Sequence, residues 1–154
     1  MPLTDLVAPD AIIPALRVNT KKSALQEMSE RAGLVSGLSA REIFDAVLQR
    51  ERLGSTGIGN GIAIPHGKLQ KCLRIFGVFG RLERPIDFES LDGAPVDLVC
   101  LLIAPIAAGA DHLKALARVA RILRDPGLTA TLRATRDSSG LFAVLTQGPT
   151  SHAA

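Results

Sequence analysis

The 154-residue chain has no tryptophan and no tyrosine, and its five phenylalanines are its whole aromatic content. A core must therefore come mainly from Leu, Ala, Val and Ile, which supply most of the 47% of hydrophobic residues. Basic runs are missing too. Lys plus Arg outnumber Asp plus Glu by 18 to 15, a formal net charge of +3, but these charges are scattered. Nucleic-acid binding needs a clustered basic face, usually with stacking aromatics, so nucleic acid is not expected as a partner. A mildly basic surface still suits an acidic protein or a phosphate group.

Cysteine is scarce. Cys72 and Cys100 lie far apart without metal-ligand spacing, and Cys100 sits in an apolar run, so both read as buried thiols and no metal site is expected. The longest apolar run, 98–108, is interrupted by Pro105 and falls short of the ~20 residues a membrane span requires. Met1-Pro2-Leu3-Thr4-Asp5 has no basic patch ahead of an apolar segment and so does not read as a secretory signal. These absences point to a reducing cytoplasm, no membrane anchor and no bound cofactor.

What remains is a chain of single-domain length, able to bury roughly 70% of the surface its unfolded form exposes. Residues 11–16 read as an edge strand because of Pro14. Thr20 caps a helix with Ala24, Leu25, Met28 and Ala32 on one face, stopped by Gly33. Ser39 and Glu42 have capping-box spacing ahead of a helix that buries Ile43, Phe44, Val47 and Leu48 and runs to about Arg50. Strands are expected at 62–64, 75–81 and 96–103, the last apolar apart from Asp97 and so central in the sheet. Asp111 is the expected N-cap of a long helix facing the core with Leu113, Leu116, Ala117, Ala120 and Leu123. Shorter helices follow from Pro126 and Ser138. The reading is one α/β (α+β) domain over 1–146, a mixed sheet flanked by helices, with a loose tail at 147–154.

The unusual segment is 54–69, GSTGIGNGIAIPHGKL. Four glycines between 54 and 61 read as a loop that lets backbone approach a ligand. The amides of Ser55, Thr56, Gly57, Gly59 and Asn60 are its candidates for cradling a phosphate. Pro65 holds Ile64 extended and pins the entry to His66, while Gly67 leaves room on the other side. Neutral imidazole is a competent nucleophile toward phosphorus, and phosphoryl transfer asks the protein mainly to position groups and neutralise charge. The same residues also read as a turn followed by a half-buried histidine. Nucleotide fingerprints do not fit, because Ile62 stands where GxGxxG requires glycine and there is no GK[ST].

The segment closely resembles the active-site signature of the phosphotransferase-system IIA proteins of the mannitol/fructose type, specifically their nitrogen-related branch. The likeness runs from about Lys21 to the final helix, through RERLGSTG, FGVFGRLERPIDFESLDGAPVDLV and DHLKALARVARIL. It implies a regulatory phosphocarrier in which His66 accepts a phosphoryl group from a histidine of an HPr-like carrier and signals to target proteins through its phosphorylation state. A sugar-transport role, passing the group to a IIB domain, is the alternative. The resemblance also places Arg50 near the phosphoryl group and His112 beside His66. Taken alone, Arg50 also reads as a cation at a helix C-terminus or as half of a surface ion pair with Glu51, and His112 as an exposed first-turn residue. Lys114 departs from the branch, which often has histidine there, and 70–74 is divergent. Ile58 and Leu69 are the expected partner contacts, and His152 is incidental.

Overall fold

A computed structural model describes residues 3–147. The elements run β1 (Val7–Leu16), α1 (Lys21–Ser36), α2 (Ala40–Glu51), β2 (Gly57–Gly59), β3 (Ile62–Ala63), β4 (His66–Leu69), β5 (Phe76–Ile86), β6 (Val96–Pro105), a 3-10 turn (Ile106–Ala108), α3 (Ala110–Leu123), α4 (Pro126–Ala134) and α5 (Ser138–Gln147). The six strands form one mixed sheet in the order β1-β5-β6-β3-β2, with β4 also paired to β6. Residues 148–154, including His152 and nearly all of the expected tail, lie outside the described residues.

β6 is the central strand, as its apolar run from Leu98 predicts. It pairs antiparallel with β5 on one side and parallel with β3 and β4 on the other. Leu98 through Ala104 are all buried, so the strand is covered on both faces and no alternation survives in the sequence. β1 lies at the sheet edge, parallel to β5, and starts at Val7, before the expected Ala11. Phe79 and Phe88 are fully buried among the aliphatic side chains.

β3 and β4 are two pieces of one interrupted strand. Ile62 and Ala63 align with Leu98 and Val99, and His66 to Leu69 with Leu102 to Pro105. Pro65 has no N–H to donate, so the ladder breaks there. The sheet nevertheless closes over the gap through Leu102 N–H, which donates to the Pro65 carbonyl at 2.9 Å.

α2 packs on β4 at Gly67, where an added Cβ would lie 3.2 Å from the Ala46 Cβ and from the Val47 nitrogen. Gly67 and Leu69 are buried toward that side, while His66 and Lys68 alternate to the other face. Thr20 Oγ1 accepts from Ser23 N–H and Ser39 Oγ from Glu42 N–H, as the caps predict.

Four expectations need correction. α1 continues through Gly33 to Ser36 and ends at Gly37, whose left-handed φ of 78° terminates it. Gly33 is needed instead for a close approach, since an added Cβ would meet that of Ala40 at 3.1 Å. The glycine run is not all loop, because β2 and β3 form a hairpin through Asn60 and Gly61, both at the positive φ that tight hairpin turns require. Asp111 caps nothing. Gly109 takes the N-cap position of α3 with no side-chain cap, and Asp111 is exposed in the first turn. The buried stripe of α3 is consequently His112, Ala115, Val119, Ile122 and Leu123, with Leu113 and Ala117 exposed.

Candidate active site

The Gly61 and Pro65 carbonyls face β6, so the Ile64 peptide between them points away from that strand, and both of its polar groups are used at the site. Ile64 N–H donates to the Thr56 carbonyl at 3.0 Å, tying the strand to the glycine loop. The Ile64 carbonyl lies 3.0 Å from Nδ1 of His66. A carbonyl can only accept, so this contact puts the ring hydrogen on Nδ1 and leaves the lone pair on Nε2. His66 is half-buried on the first residue of β4, with its backbone held by β6 and its ring held by Ile64.

His112 is buried and projects from the first turn of α3, its ring centroid 5.4 Å from that of His66 and the planes tilted by 57°. Lys68, two residues along β4, shares the face of His66. Arg50 lies in the last turn of α2 and donates from Nη1 to the Gly54 carbonyl at 2.8 Å. Among the described residues the rest of its guanidinium fork has no hydrogen-bond partner. Of the three side chains singled out from the sequence, His66 and His112 meet, and Arg50 is near enough for its charge to act on His66.

Burial, aided by the positive charges of Arg50 and Lys68, holds the His66 pKa below the ordinary imidazole value. The Ile64 carbonyl and the Glu51 carboxylate oppose that shift. His112 is lowered as well, first by burial and then by His66 and Lys68. Both rings are neutral at pH 7, the protonation state in which Nε2 of His66 can attack phosphorus.

The loop residues occupy different positions from those expected of a cradle. Thr56 N–H donates to Glu51 at 2.9 Å, Gly57 N–H to the Ser55 hydroxyl at 3.1 Å, and Asn60 N–H to Asp92 at 3.0 Å. Ser55 Oγ itself donates to the Phe88 carbonyl at 2.8 Å. Asn60 and Gly59 lie at the hairpin tip, where Arg133 donates to the Asn60 carbonyl at 2.7 Å. The amides of Thr56, Gly57 and Asn60 are therefore committed within the chain, which corrects the cradle expectation for those three.

Glu51 is also not the surface partner of Arg50. Its carboxylate is buried and bonded to Thr56 and Lys21. Leu69 is buried, so it cannot serve as a partner contact, whereas Ile58 is half-buried. Leu53, just past Arg50, and Leu113, next to His112, are exposed. Sequence reasoning missed Lys68 and Glu51 as neighbours of His66. The i, i+2 spacing on a strand marks the first, while nothing local marks the second. Among the described residues, no cluster of three or more His, Cys, Asp or Glu is placed to hold a metal ion, and no helix is long and apolar enough to cross a membrane.

Residues 5–148 match the family described as the phosphoenolpyruvate-dependent sugar phosphotransferase system, EIIA 2, and the chain belongs to that family. Its relatives include a nitrogen regulatory protein of Bradyrhizobium diazoefficiens, 60% identical over 149 residues that cover 97% of each chain. The crystal structure of nitrogen regulatory protein IIA-Ntr from Neisseria meningitidis superposes with a TM-score of 0.88 at 30% identity, over 94% of this chain and 99% of that one. A fructose-specific EIIABC component of Bacillus subtilis is 32% identical over 96% of this chain but only 23% of its own length.

Proposed function

We propose that this chain is a regulatory phosphocarrier that takes a phosphoryl group onto Nε2 of His66 from the phosphohistidine of an HPr-like protein. The observation that carries this reading is the Ile64 carbonyl contact, which orients the ring and leaves Nε2 as the nucleophile. The Nε2 lone pair forms the new N–P bond as the carrier's N–P bond breaks and its electron pair returns to the carrier's nitrogen. The carrier ring, protonated at its other nitrogen, leaves as neutral imidazole. The hydrogen stays on Nδ1 of His66, donated to the Ile64 carbonyl, so the phosphorylated ring bears a positive charge beside the phosphoryl dianion.

Arg50 pairs the phosphoryl oxygens with the free part of its fork, because a planar guanidinium can hold two oxygens at once. His112 donates a ring N–H to a third oxygen. Ser55, Thr56, Gly57, Gly59 and Asn60 act by shaping the hairpin that carries β3 into Pro65. The chain works in the cytoplasm without metal or cofactor, and its exposed rim meets the carrier and then its regulatory targets.

The Bradyrhizobium nitrogen regulatory relative matches this chain over 97% of its own length, which favours regulation over sugar uptake. The fructose-specific relative supports the second reading, in which the group passes to a IIB domain. Incubation with enzyme I, an HPr-like carrier, phosphoenolpyruvate and magnesium tests the proposal. One phosphoryl group is expected on wild type and none on His66→Ala, and equal labelling of the two would overturn it. Onward transfer to a IIB domain and sugar would establish the second reading.

A further inference from the structure

The side chain of Glu51 is 2% exposed, and its carboxylate accepts three hydrogen bonds, from Thr56 N–H at 2.9 Å, Thr56 Oγ1 at 2.6 Å and Lys21 Nζ at 2.8 Å. Lys21, at the start of α1, is itself mostly buried. Its ammonium lies 5.0 Å from the Phe88 ring centroid and 3.3 Å from Glu89. From Thr56 the connection reaches the nucleophile in two more bonds, Ile64 N–H to the Thr56 carbonyl and Nδ1 of His66 to the Ile64 carbonyl.

A buried ion pair is weak support for stability, since well-packed apolar residues often replace one at no cost. Glu51, however, is linked through Thr56 and Ile64 to a ring that must receive a dianion, and its charge acts on that ring. The charged and titratable groups around that ring are Arg50 and Glu51 from α2, Lys68 from β4 and His112 from α3. Arg50 and Lys68 tighten the hold on a phosphoryl group. Glu51 is the only anion in this set, and it does not touch the reacting atoms.

We infer that Glu51 and Lys21 form a positioning pair that sets how firmly His66 holds its phosphoryl group. The Glu51 charge opposes Arg50 and Lys68 and so keeps the group transferable, and Lys21 limits that opposition. A carrier needs this balance, because a group held by cations alone would be accepted readily and passed on poorly. The inference rests on His66 being phosphorylated, as proposed above.

Opposite signs make it testable. Each variant is brought to equilibrium with a phosphorylated HPr-like carrier at pH 8, which keeps the Glu51 carboxyl ionised, and the phosphorylated fraction is measured. Glu51→Gln keeps an acceptor for the Thr56 hydroxyl but removes the charge, and should shift the exchange equilibrium about three- to tenfold toward phospho-His66. Lys21→Met leaves Glu51 uncompensated and should shift it by a similar factor the other way, with Lys21→Arg restoring the wild-type value. Shifts in the same direction, or equilibria equal to wild type, would overturn the inference. Should Lys21→Met not fold, NMR titration of His66 in Glu51→Gln decides, since its pKa must fall and an unchanged value would overturn the inference. A wild type that takes no phosphoryl group would sink the carrier reading itself. Labelled wild type with unresponsive variants would sink only this inference.

Discussion

Nδ1 of His66 and the carbonyl oxygen of Ile64 lie 3.0 Å apart, across the proline that separates them in sequence. The relationship follows from the alternation of the strand, since the Gly61 and Pro65 carbonyls face β6 and the Ile64 carbonyl therefore points to the other side, where it accepts from the ring. The nucleophile is thereby chosen by the backbone. Phosphorylated protein should carry its group on Nε2, read as a nitrogen–phosphorus coupling to that ring nitrogen by NMR. A coupling to Nδ1 would mean that the ring turns over before reacting.

Among the described residues, Arg50 spends one N–H on the Gly54 carbonyl and leaves the rest of its fork free. Arg50→Lys preserves the charge but not two parallel bonds. Losing one charge-assisted hydrogen bond costs about 1.5 kcal/mol, so transfer from the carrier should slow about tenfold. The unfolding midpoint should move little. Wild-type kinetics would reduce Arg50 to a cation closing the end of α2.

The site's outline is legible in the sequence because its parts sit close together there. The glycines, Pro65, His66 and Gly67 fall within one segment, and β6 announces itself by an apolar run too short for a membrane and too uniform for a surface strand. What escapes depends on contacts between distant segments. His112 breaks the apolar stripe of α3, so apolar periodicity alone turns Leu113 inward, yet the pocket beside His66 draws the polar ring in instead. Asp111 reinforces the error, since it has the chemistry of a cap but sits inside the first turn, after Gly109 has already started the helix. Glu51 looks like a surface partner of its neighbour Arg50. Its actual partner, Lys21, begins a different helix, and no local pattern reports that pairing.

Docking should depend on exposed apolar residues that flank Arg50 and His112 in the chain. Leu113 is 66% exposed beside His112 and Leu53 is 83% exposed beyond Arg50, whereas Leu69 is buried. Leu53→Glu and Leu113→Glu should each weaken phosphorylation by the carrier several-fold while leaving the unfolding midpoint within a degree or two, as surface changes usually do. Saturation at wild-type carrier concentrations in both variants would move the docking surface to another face.

Gly67 is the point of closest approach between β4 and α2. A methyl group there would sit 3.2 Å from Ala46 Cβ and the Val47 nitrogen, so the helix or the strand must move by a few tenths of an ångström. Overpacking of this kind costs about 1–3 kcal/mol. Gly67→Ala should therefore lower the urea midpoint measurably and also slow phosphoryl transfer, because the displaced strand begins with His66. Slower unfolding with faster transfer would contradict the packing argument.

Both site histidines have lowered pKa values, with burial as the first cause, and this fixes the sign of a pH effect on stability. Above the unfolded value of about 6.5 the rings are neutral in both states and contribute nothing. Below it the unfolded chain takes up protons that the folded chain resists, so stability falls as pH falls, by at most about 1.4 kcal/mol per pH unit for each ring, until the lowered folded values are reached. The carboxylates of Asp5, Asp92 and Asp137 are lowered too, and their contribution is lost only in the more acidic carboxylate range. The interval between about pH 6.5 and 5 therefore isolates the histidines. Urea unfolding at about pH 7.5 and about pH 5.5, on either side of the unfolded imidazole value, should show wild type losing stability, the single variants His66→Ala and His112→Ala losing less, and the double variant least. A double variant with the full wild-type pH dependence would place the titrating groups elsewhere and remove the argument that burial keeps these two rings neutral.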